Sequence, residues 1–253
     1  MTLEKIIENL EKKQDAELSK FEKRIQRIQQ TIVDMSIATA IQDIKDPITY
    51  DRVFGQILTS SGYYNEINNF INTSYDVIYK DIGAMLSLGG IPITFDNKDL
   101  TKIASIKQMH FDRFSELSNA TINTMKQEIF KYSLSNATSE TIVAGIRNTL
   151  EQSDLAKYSG TYATTLISEY SQSIIDLKAQ DTTNGVWIYK GVLDAKTRPF
   201  CSCLLNKQGY YTDEQKSTLQ ADNRRRWNCR HIFLKVTEDY AIERGYDKGE
   251  MSC

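Results

Sequence analysis

Apolar residues recur at alternating spacings of three and four along the first part of the chain. The stripe comprises Leu3, Ile7, Leu10, Leu18, Phe21, Ile25, Ile28, Ile32 and Met35, and Gln14 occupies the polar slot between its two runs. The intervening residues are good helix formers, so the pattern predicts one long helix within residues 1–45, ending before Asp46-Pro47. The step of four from Gln14 to Leu18 is a stutter, which locally relaxes a coiled-coil supercoil.

An apolar stripe of this kind needs a partner surface but does not identify it. One interpretation is that the helix packs on the body of its own chain. The other is that it forms a coiled coil, either by self-association or by docking on another subunit. The sequence leaves both interpretations open.

Helical periodicity continues through residues 46–153, which we predict to be a helical body. Gly89-Gly90 ends one run of apolar residues, and the irregular IPITFDNKDL stretch separates it from the next long helix. His110 lies within that second helix, with no cysteine or second histidine near it in the sequence. We therefore interpret His110 as a structural or surface histidine rather than a metal ligand.

The pattern changes near residue 185, at the start of a small unit that we place at 186–236. Residues 186–192 and 231–236 show the alternation and the β-branched and aromatic enrichment that are typical of strands. A turn, a glycine-tyrosine segment and a short helix are predicted between them. The predicted fold class is thus mainly α, with a long N-terminal helix and a helical body followed by a small α+β unit within the third segment, 154–253.

Composition supports a helical chain and limits the classes of partner that the sequence suggests. Only 3 prolines and 12 glycines in 253 residues argue against linker-rich and all-β proteins. The net charge of -2 gives no whole-chain argument for nucleic acid or an anionic membrane as the main partner. No apolar run approaches the ~20 residues of a membrane span, and the N-terminus lacks signal-peptide features, so we expect synthesis and retention in the cytoplasm.

The charge is unevenly distributed along the chain. Residues 190–236 hold ten Lys or Arg against four Asp or Glu, a net charge of +6, which leaves -8 for the rest. Arg224, Arg225 and Arg226 stand at the centre of this basic segment. They are interpreted either as a solvated helix end or as a contact for phosphate or an acidic protein surface.

Three of the four cysteines lie within 29 residues of one another, close to one of the two histidines. These residues are Cys201, Cys203, Cys229 and His231. Zinc accepts three thiolates and an imidazole in tetrahedral geometry, so a structural zinc site is one interpretation. Buried thiols without a metal and an oxidised Cys201–Cys229 pair are the others. In each case the cluster would hold the small unit together.

Catalytic interpretations have less support. Cys229 and His231 supply a thiol and a base, but no glycine-rich oxyanion loop or acidic partner accompanies them. Asp194 stands nearly alone, whereas metal-dependent nucleases need paired carboxylates. Asp194 and Thr197 are instead typical turn residues, and Arg198 is expected to pair with Asp194 or to contact a partner. We predict that the protein is not an enzyme.

Two spaced motifs occur in the C-terminal segment. The first is GVWIYKGVLDAKTRPFCSCLLNKQGYYTDEQ and the second is WNCRHIFLKV. They resemble the signature of the phage Mu protein F-like minor head proteins, also called phage head morphogenesis proteins. The resemblance covers residues 155–237, and its matching positions are Trp187, Tyr189, Gly191, Asp194, Thr197, Arg198, Cys201, Gly209, Tyr210, Asn228, Cys229, Arg230 and His231. Cys203 departs from the family pattern as an additional candidate ligand.

The resemblance implies a structural protein of a tailed-phage virion, present in few copies after synthesis in the host cytoplasm. Its expected location is the head interior or the head-tail junction. Its expected partners are the portal protein, the major capsid protein and packaged DNA, with roles in head assembly and in DNA packaging or ejection. The alternative function is a zinc-stabilised DNA-binding protein that uses the basic segment 190–236.

Overall fold

The structure, a computed structural model, describes most of the chain. The described residues are 2–43, 47–91, 93–135, 137–180, 182, 185–222 and 229–250. Four residues to which the sequence assigned a role lie outside them: Arg224, Arg225, Arg226 and Asn228.

Long helices dominate the first 180 residues, and a small sheet follows. The helices are α1 (Leu3–Asp43), α2 (Pro47–Ser60), α3 (Tyr63–Leu88), α4 (Asn97–Leu134), α5 (Ser139–Gln152), α6 (Asp154–Ala179), α7 (Pro199–Lys207), α8 (Asp213–Asp222) and α9 (Glu238–Glu243). The strands are β1 (Gly185–Lys190), β2 (Gly209–Tyr211), β3 (Ile232–Thr237) and β4 (Asp247–Lys248). The predicted fold class, mainly α with a small C-terminal α+β unit, is confirmed. Among the described residues, every helix falls short of the combined length and apolarity that a bilayer-spanning segment requires.

The sheet is mixed, with the strand order β3-β1-β2-β4. β1 pairs antiparallel with both β3 and β2, and β2 pairs parallel with β4. In the β1–β3 ladder Trp187 lies opposite Lys235, and Tyr189 lies opposite Phe233. Because directly opposed residues point to the same face of a sheet and alternate residues share a face, these four side chains lie on one face.

β3 is an edge strand whose outward backbone groups are bonded by neighbouring elements. The Gln172 side-chain amide of α6 donates to the Phe233 carbonyl (3.1 Å), and its oxygen accepts from the Phe233 N–H (2.9 Å). The Thr237 N–H donates to the Gly89 carbonyl at 2.8 Å. A Cβ at Gly89 would lie 2.7 Å from Val236 Cγ1, so the glycine that follows α3 also permits this close approach. These contacts cover part of the sheet edge at β3.

The chain forms two compact units, neither of which is continuous in sequence. Unit 1 comprises Met1–Glu17, Thr73–Ile106 and Thr161–Cys253, and unit 2 comprises Leu18–Asn72 and Lys107–Gly160. This division differs from the consecutive segments 1–45, 46–153 and 154–253 expected from the sequence. The division within α1 falls between Glu17 and Leu18, directly after the stutter at Gln14.

The apolar stripe of α1 is buried within the chain. In unit 1 its buried members are Leu3, Ile7 and Leu10, and in unit 2 they are Leu18, Phe21, Ile25 and Ile32. Packing on the body of the same chain therefore accounts for the stripe. Self-association through this helix remains a prediction.

Each unit has its own aromatic core. In unit 1, Tyr75 stacks on Tyr170 with ring centroids 4.0 Å apart. In unit 2, Phe21 stacks on Phe70 at 4.2 Å and meets the edge of Phe114 at 5.7 Å. Such pairs combine large buried apolar area with a preferred ring geometry, which favours a single packing arrangement.

Candidate metal centre

Cys201, Cys229 and His231 bring three potential ligand atoms together in unit 1. Their two sulphurs and one ring nitrogen all lie within 4.8 Å of one another. The Cys229 Sγ is 4.0 Å from the His231 Nδ1. Cys201 and His231 are buried and Cys229 is half-buried. The group is therefore compact enough to hold a metal ion.

Local backbone conformation explains which side chains enter the group. Cys229 and His231 precede β3 two residues apart, and alternate residues of an extended segment point the same way. Cys201 is the third residue of α7, whose first turn begins with Pro199. Proline is favoured at a helix start because its fixed φ suits the helix and its missing N–H would be unsatisfied there anyway.

Cys203, the fourth ligand expected from the sequence, is not part of the group. Residues 201–203 belong to α7, a helix that was not predicted from the sequence. Two helical residues separated by one position point about 200° apart around the axis, so Cys203 faces away from Cys201. Cys203 is disulfide-bonded. The expected alternative of an oxidised Cys201–Cys229 pair is also not found, because both of these cysteines are free.

The His231 ring is oriented by backbone atoms on its far side. His231 Nε2 lies 3.0 Å from the Val192 carbonyl oxygen. A carbonyl can only accept a hydrogen bond, so Nε2 carries the proton and Nδ1 is left facing Cys229. A Cβ at Gly191 would lie 2.1 Å from His231 Cδ2, so only glycine allows this approach. Histidine ligands of metals are usually held by such a hydrogen bond from the second nitrogen.

Glu11 in α1 forms a hydrogen bond with Val192, the same residue whose carbonyl contacts His231. Its carboxylate accepts a hydrogen bond from the Val192 N–H at 2.8 Å, and the residue is 9% exposed. Burial raises the pKa of the Glu11 carboxyl, although the Val192 bond and the nearby Arg230 and His231 oppose that rise. Both backbone polar groups of Val192 are therefore used to position His231.

The two sulphurs and the imidazole shift one another's pKa values. The hydrogen bond between Cys201 and Cys229 lowers the pKa of Cys229 well below its usual range and raises that of Cys201. Burial tends to lower the pKa of His231, but its bonds to Cys229 and to Val192 outweigh burial and raise it. The Tyr189 hydroxyl donates to the Cys201 Sγ at 3.2 Å.

The Asp194 turn lies beside the group and is closed by Arg230. Asp194 Oδ1 accepts from the Lys196 N–H (2.9 Å) and from the Thr197 hydroxyl (3.0 Å). The Arg230 guanidinium donates to the other carboxylate oxygen. This bond, with those from Thr197 and Lys196, lowers the pKa of Asp194 to about 2. Arg198 is the N-cap residue of α7 and is exposed.

Trp187 is surrounded by charged groups that the sequence did not reveal as a cluster. Its indole N–H donates to Asp213 Oδ1 at 2.6 Å. The Lys216 and Lys235 ammonium groups lie 3.9 and 4.9 Å from its ring centroid. Lys235 is 1% exposed and pairs with Asp213 at 2.8 Å. The burial of Lys235 could have been predicted from the sequence, because Lys235 shares a strand face with Phe233. No comparable sequence pattern predicts the burial of Glu11.

Part of the basic segment 190–236 is neutralised inside the chain. Four of its cations form ion pairs: Lys190 with Glu4, Lys216 with Asp176, Arg230 with Asp194, and Lys235 with Asp213. Seven of the ten cations of the segment belong to the described residues, so more than half of those seven have internal carboxylate partners. Two of the partner carboxylates, Glu4 and Asp176, lie outside the segment and offset two of the six net positive charges that its sequence suggests.

Comparison of the chain with protein-family models, with curated proteins and with solved structures finds no match in any of the three. The resemblance to the phage Mu protein F-like proteins accordingly rests on the residues of the two motifs.

Proposed function

We propose that the protein is a structural minor head protein of a tailed phage, which associates with the portal and the capsid interior and acts in head assembly. One observation carries this proposal: residues of the first motif pair with residues of the second. Asp194 pairs with Arg230, Cys201 with Cys229, and the loop after Gly191 with His231. Asp194, Cys201, Cys229, Arg230 and His231, which are among the positions that resemble the family, are therefore brought together within unit 1.

The bonding within this cluster favours a structural role over a catalytic one. The Nε2 of His231 is bonded to Val192, the Asp194 carboxylate to Thr197 and Arg230, and the Cys201 sulphur to Tyr189. A general base must instead be within reach of a substrate proton. Side chains whose hydrogen bonds join α7, the Asp194 turn and the start of β3 serve to hold these elements together.

We further propose that the ion held by Cys201, Cys229 and His231 is Zn²⁺, in a structural role. Zinc is bound by thiolate sulphur at ~2.3 Å and by imidazole nitrogen at ~2.0–2.1 Å. In tetrahedral geometry these lengths place two sulphurs about 3.8 Å apart, so the ligand atoms would need to approach by no more than about 1 Å. An ion here would link α7 to the segment before β3, and its binding energy would add to the stability of the fold.

Metal analysis of the purified full-length chain tests the zinc proposal. We expect one zinc per chain in the wild type and little zinc in Cys229→Ser and His231→Asn. Cys203→Ser is the matched control, because it removes the disulfide of a nearby cysteine that is outside the group and should leave the zinc content unchanged. A zinc-free wild type, or full occupancy in Cys229→Ser, would contradict the proposal.

Capture of the portal protein tests the proposed function itself. The full-length chain, immobilised through an affinity tag, should retain the portal protein of the same phage, and a phage lacking the chain should assemble defective heads. Absence of binding together with normal heads would overturn the proposal.

DNA binding through the basic segment 190–236 is the second candidate, favoured by the segment's net charge of +6. Since four of its cations have internal partners, the proposal depends chiefly on Arg224, Arg225 and Arg226. Replacing all three by Ala should weaken DNA binding and flatten its dependence on salt. Binding that is absent, or equally salt-dependent in the triple variant, would reject this candidate.

A further inference from the structure

Cys201 and Cys229 are also placed to react with each other. Both are free cysteines, and their sulphurs lie within 4.8 Å of each other. A disulfide requires about 2.05 Å between its sulphurs, so the pair needs to close by less than about 3 Å. The two residues belong to separate elements, α7 and the segment before β3, so a bond between them would cross-link the same elements as a metal ion.

We propose that Cys201 and Cys229 form a reversible thiol–disulfide switch, in which a hydroperoxide closes a disulfide between them and the metal is released. The inference rests on the proposed zinc site and deepens it, because the same two sulphurs serve both states. A disulfide sulphur is no longer a thiolate, and the thiolate is the form that binds the metal.

The difference in exposure assigns the two roles. Cys229 is half-buried and open to a small oxidant, whereas Cys201 is 6% exposed. The Cys229 sulphur, as a thiolate, attacks one oxygen of hydrogen peroxide and the O–O bond breaks. The hydroxide that leaves takes a proton from solvent, so the products are the sulfenic acid of Cys229 and water. The Cys201 sulphur then attacks the Cys229 sulphur and the S–O bond breaks. The second hydroxide takes a proton from the Cys201 thiol, or from solvent where Cys201 is a zinc-bound thiolate, and leaves as water. The two thiols lose two electrons in total, and the peroxide gains them.

With this switch, α7 and the segment before β3 would stay cross-linked in both reducing and oxidising environments. In a reducing cytoplasm the two thiolates are available to zinc, and in an oxidising environment a disulfide replaces it. A head protein of the proposed function meets both conditions, since particles assemble inside the cell and are then released from it. The elements joined by the two motifs would stay joined throughout.

Oxidation of the zinc-loaded full-length chain tests the switch. The chain is treated with hydrogen peroxide, released zinc is measured with a chromogenic chelator, and thiols are alkylated and mapped by mass spectrometry. The measurement is made in the wild type, where Cys203 is disulfide-bonded and adds no free thiol to the count. We expect one zinc released for every two thiols lost, a Cys201–Cys229 cross-linked peptide, and restoration of both thiols by dithiothreitol.

Two results would overturn the switch. One is retention of zinc and thiols under peroxide that oxidises free cysteine, and the other is irreversible addition of oxygen to Cys229 without a cross-link. Cys201→Ser is the matched variant, and it should accumulate a sulfenic acid at Cys229 that dimedone traps. The zinc content of the untreated chain separates the two proposals: a chain that contains no zinc as purified and still forms the cross-link supports the pair and contradicts the zinc site.

Discussion

Arg230 donates a hydrogen bond to the carboxylate of Asp194, which stands 36 residues earlier in the chain. Asp194 closes its own turn through Thr197, and Arg230 lies between Cys229 and His231 in the sequence. The bond therefore fixes the Asp194 turn beside the candidate metal centre. Its energetic contribution is small, about 1 kcal/mol or less, because both side chains are partly exposed to solvent.

This relationship predicts how Asp194 titrates. Its carboxyl should titrate at about 2 in the wild type, and in Arg230→Gln its pKa should return towards the ordinary value near ~3.9. Because the folded-state pKa is lowered, the pair stabilises the fold above about pH 4, and this contribution is lost as the pH falls through about 2. NMR titration of the side-chain carboxyl measures the shift. Lys196→Gln keeps the backbone N–H bond and is the control; an unchanged pKa in Arg230→Gln would contradict the assignment.

Gly191→Ala should disturb the candidate metal centre. A Cβ there would lie 2.1 Å from His231 Cδ2, so the ring must move away from the Val192 carbonyl. Loss of such ring-orienting contacts typically weakens metal binding about 10–100-fold, and we expect a loss in this range by competition with a chelator. The control is Gly83→Ala in α3, where a Cβ meets nothing within 4 Å. Equal zinc affinity in wild type and Gly191→Ala would show that the ring position is unimportant.

Gln172→Met should destabilise the chain by about 2–3 kcal/mol, because it leaves the N–H and carbonyl of Phe233 without their partner. Urea unfolding of the full-length chain measures the effect. Gln108→Met is a close control, because Gln108 in α4 bonds Asp112 at the same helical spacing as Gln172 bonds Asp176, but is exposed. A similar loss in both variants would mean that the contact with β3 contributes nothing.

Burial of His110 should make the folded protein less stable in mild acid. His110 is 1% exposed, and burial, with a smaller contribution from Arg113, lowers its pKa to about 4. Between pH 6.5 and 4 the unfolded state therefore binds more protons than the folded state, and stability falls as the pH falls. The free energy of unfolding should drop by about 2 kcal/mol from pH 7 to pH 5 through this residue alone. In His110→Gln this part of the pH dependence should disappear; an identical dependence in both proteins would refute it.

Periodicity predicts the helices and the strand-rich character of residues 186–236, because burial of one face imposes a repeat on the sequence. It does not reveal which surface buries α1, since many surfaces satisfy the same stripe, and so the two discontinuous units were not foreseen. Helix α7 was missed although Pro199 is a recognisable helix start. That omission left Cys203 in the predicted ligand set, of which the other three members, Cys201, Cys229 and His231, lie close enough to hold a metal ion.

An electron-microscopy map of assembled particles that carry a tagged copy of the chain tests the proposed function most directly. The proposal predicts density for this chain inside the head at the portal vertex, in few copies, and loss of that density from particles assembled without the chain. Purified particles that lack the chain, with normal heads formed in its absence, would contradict the proposal.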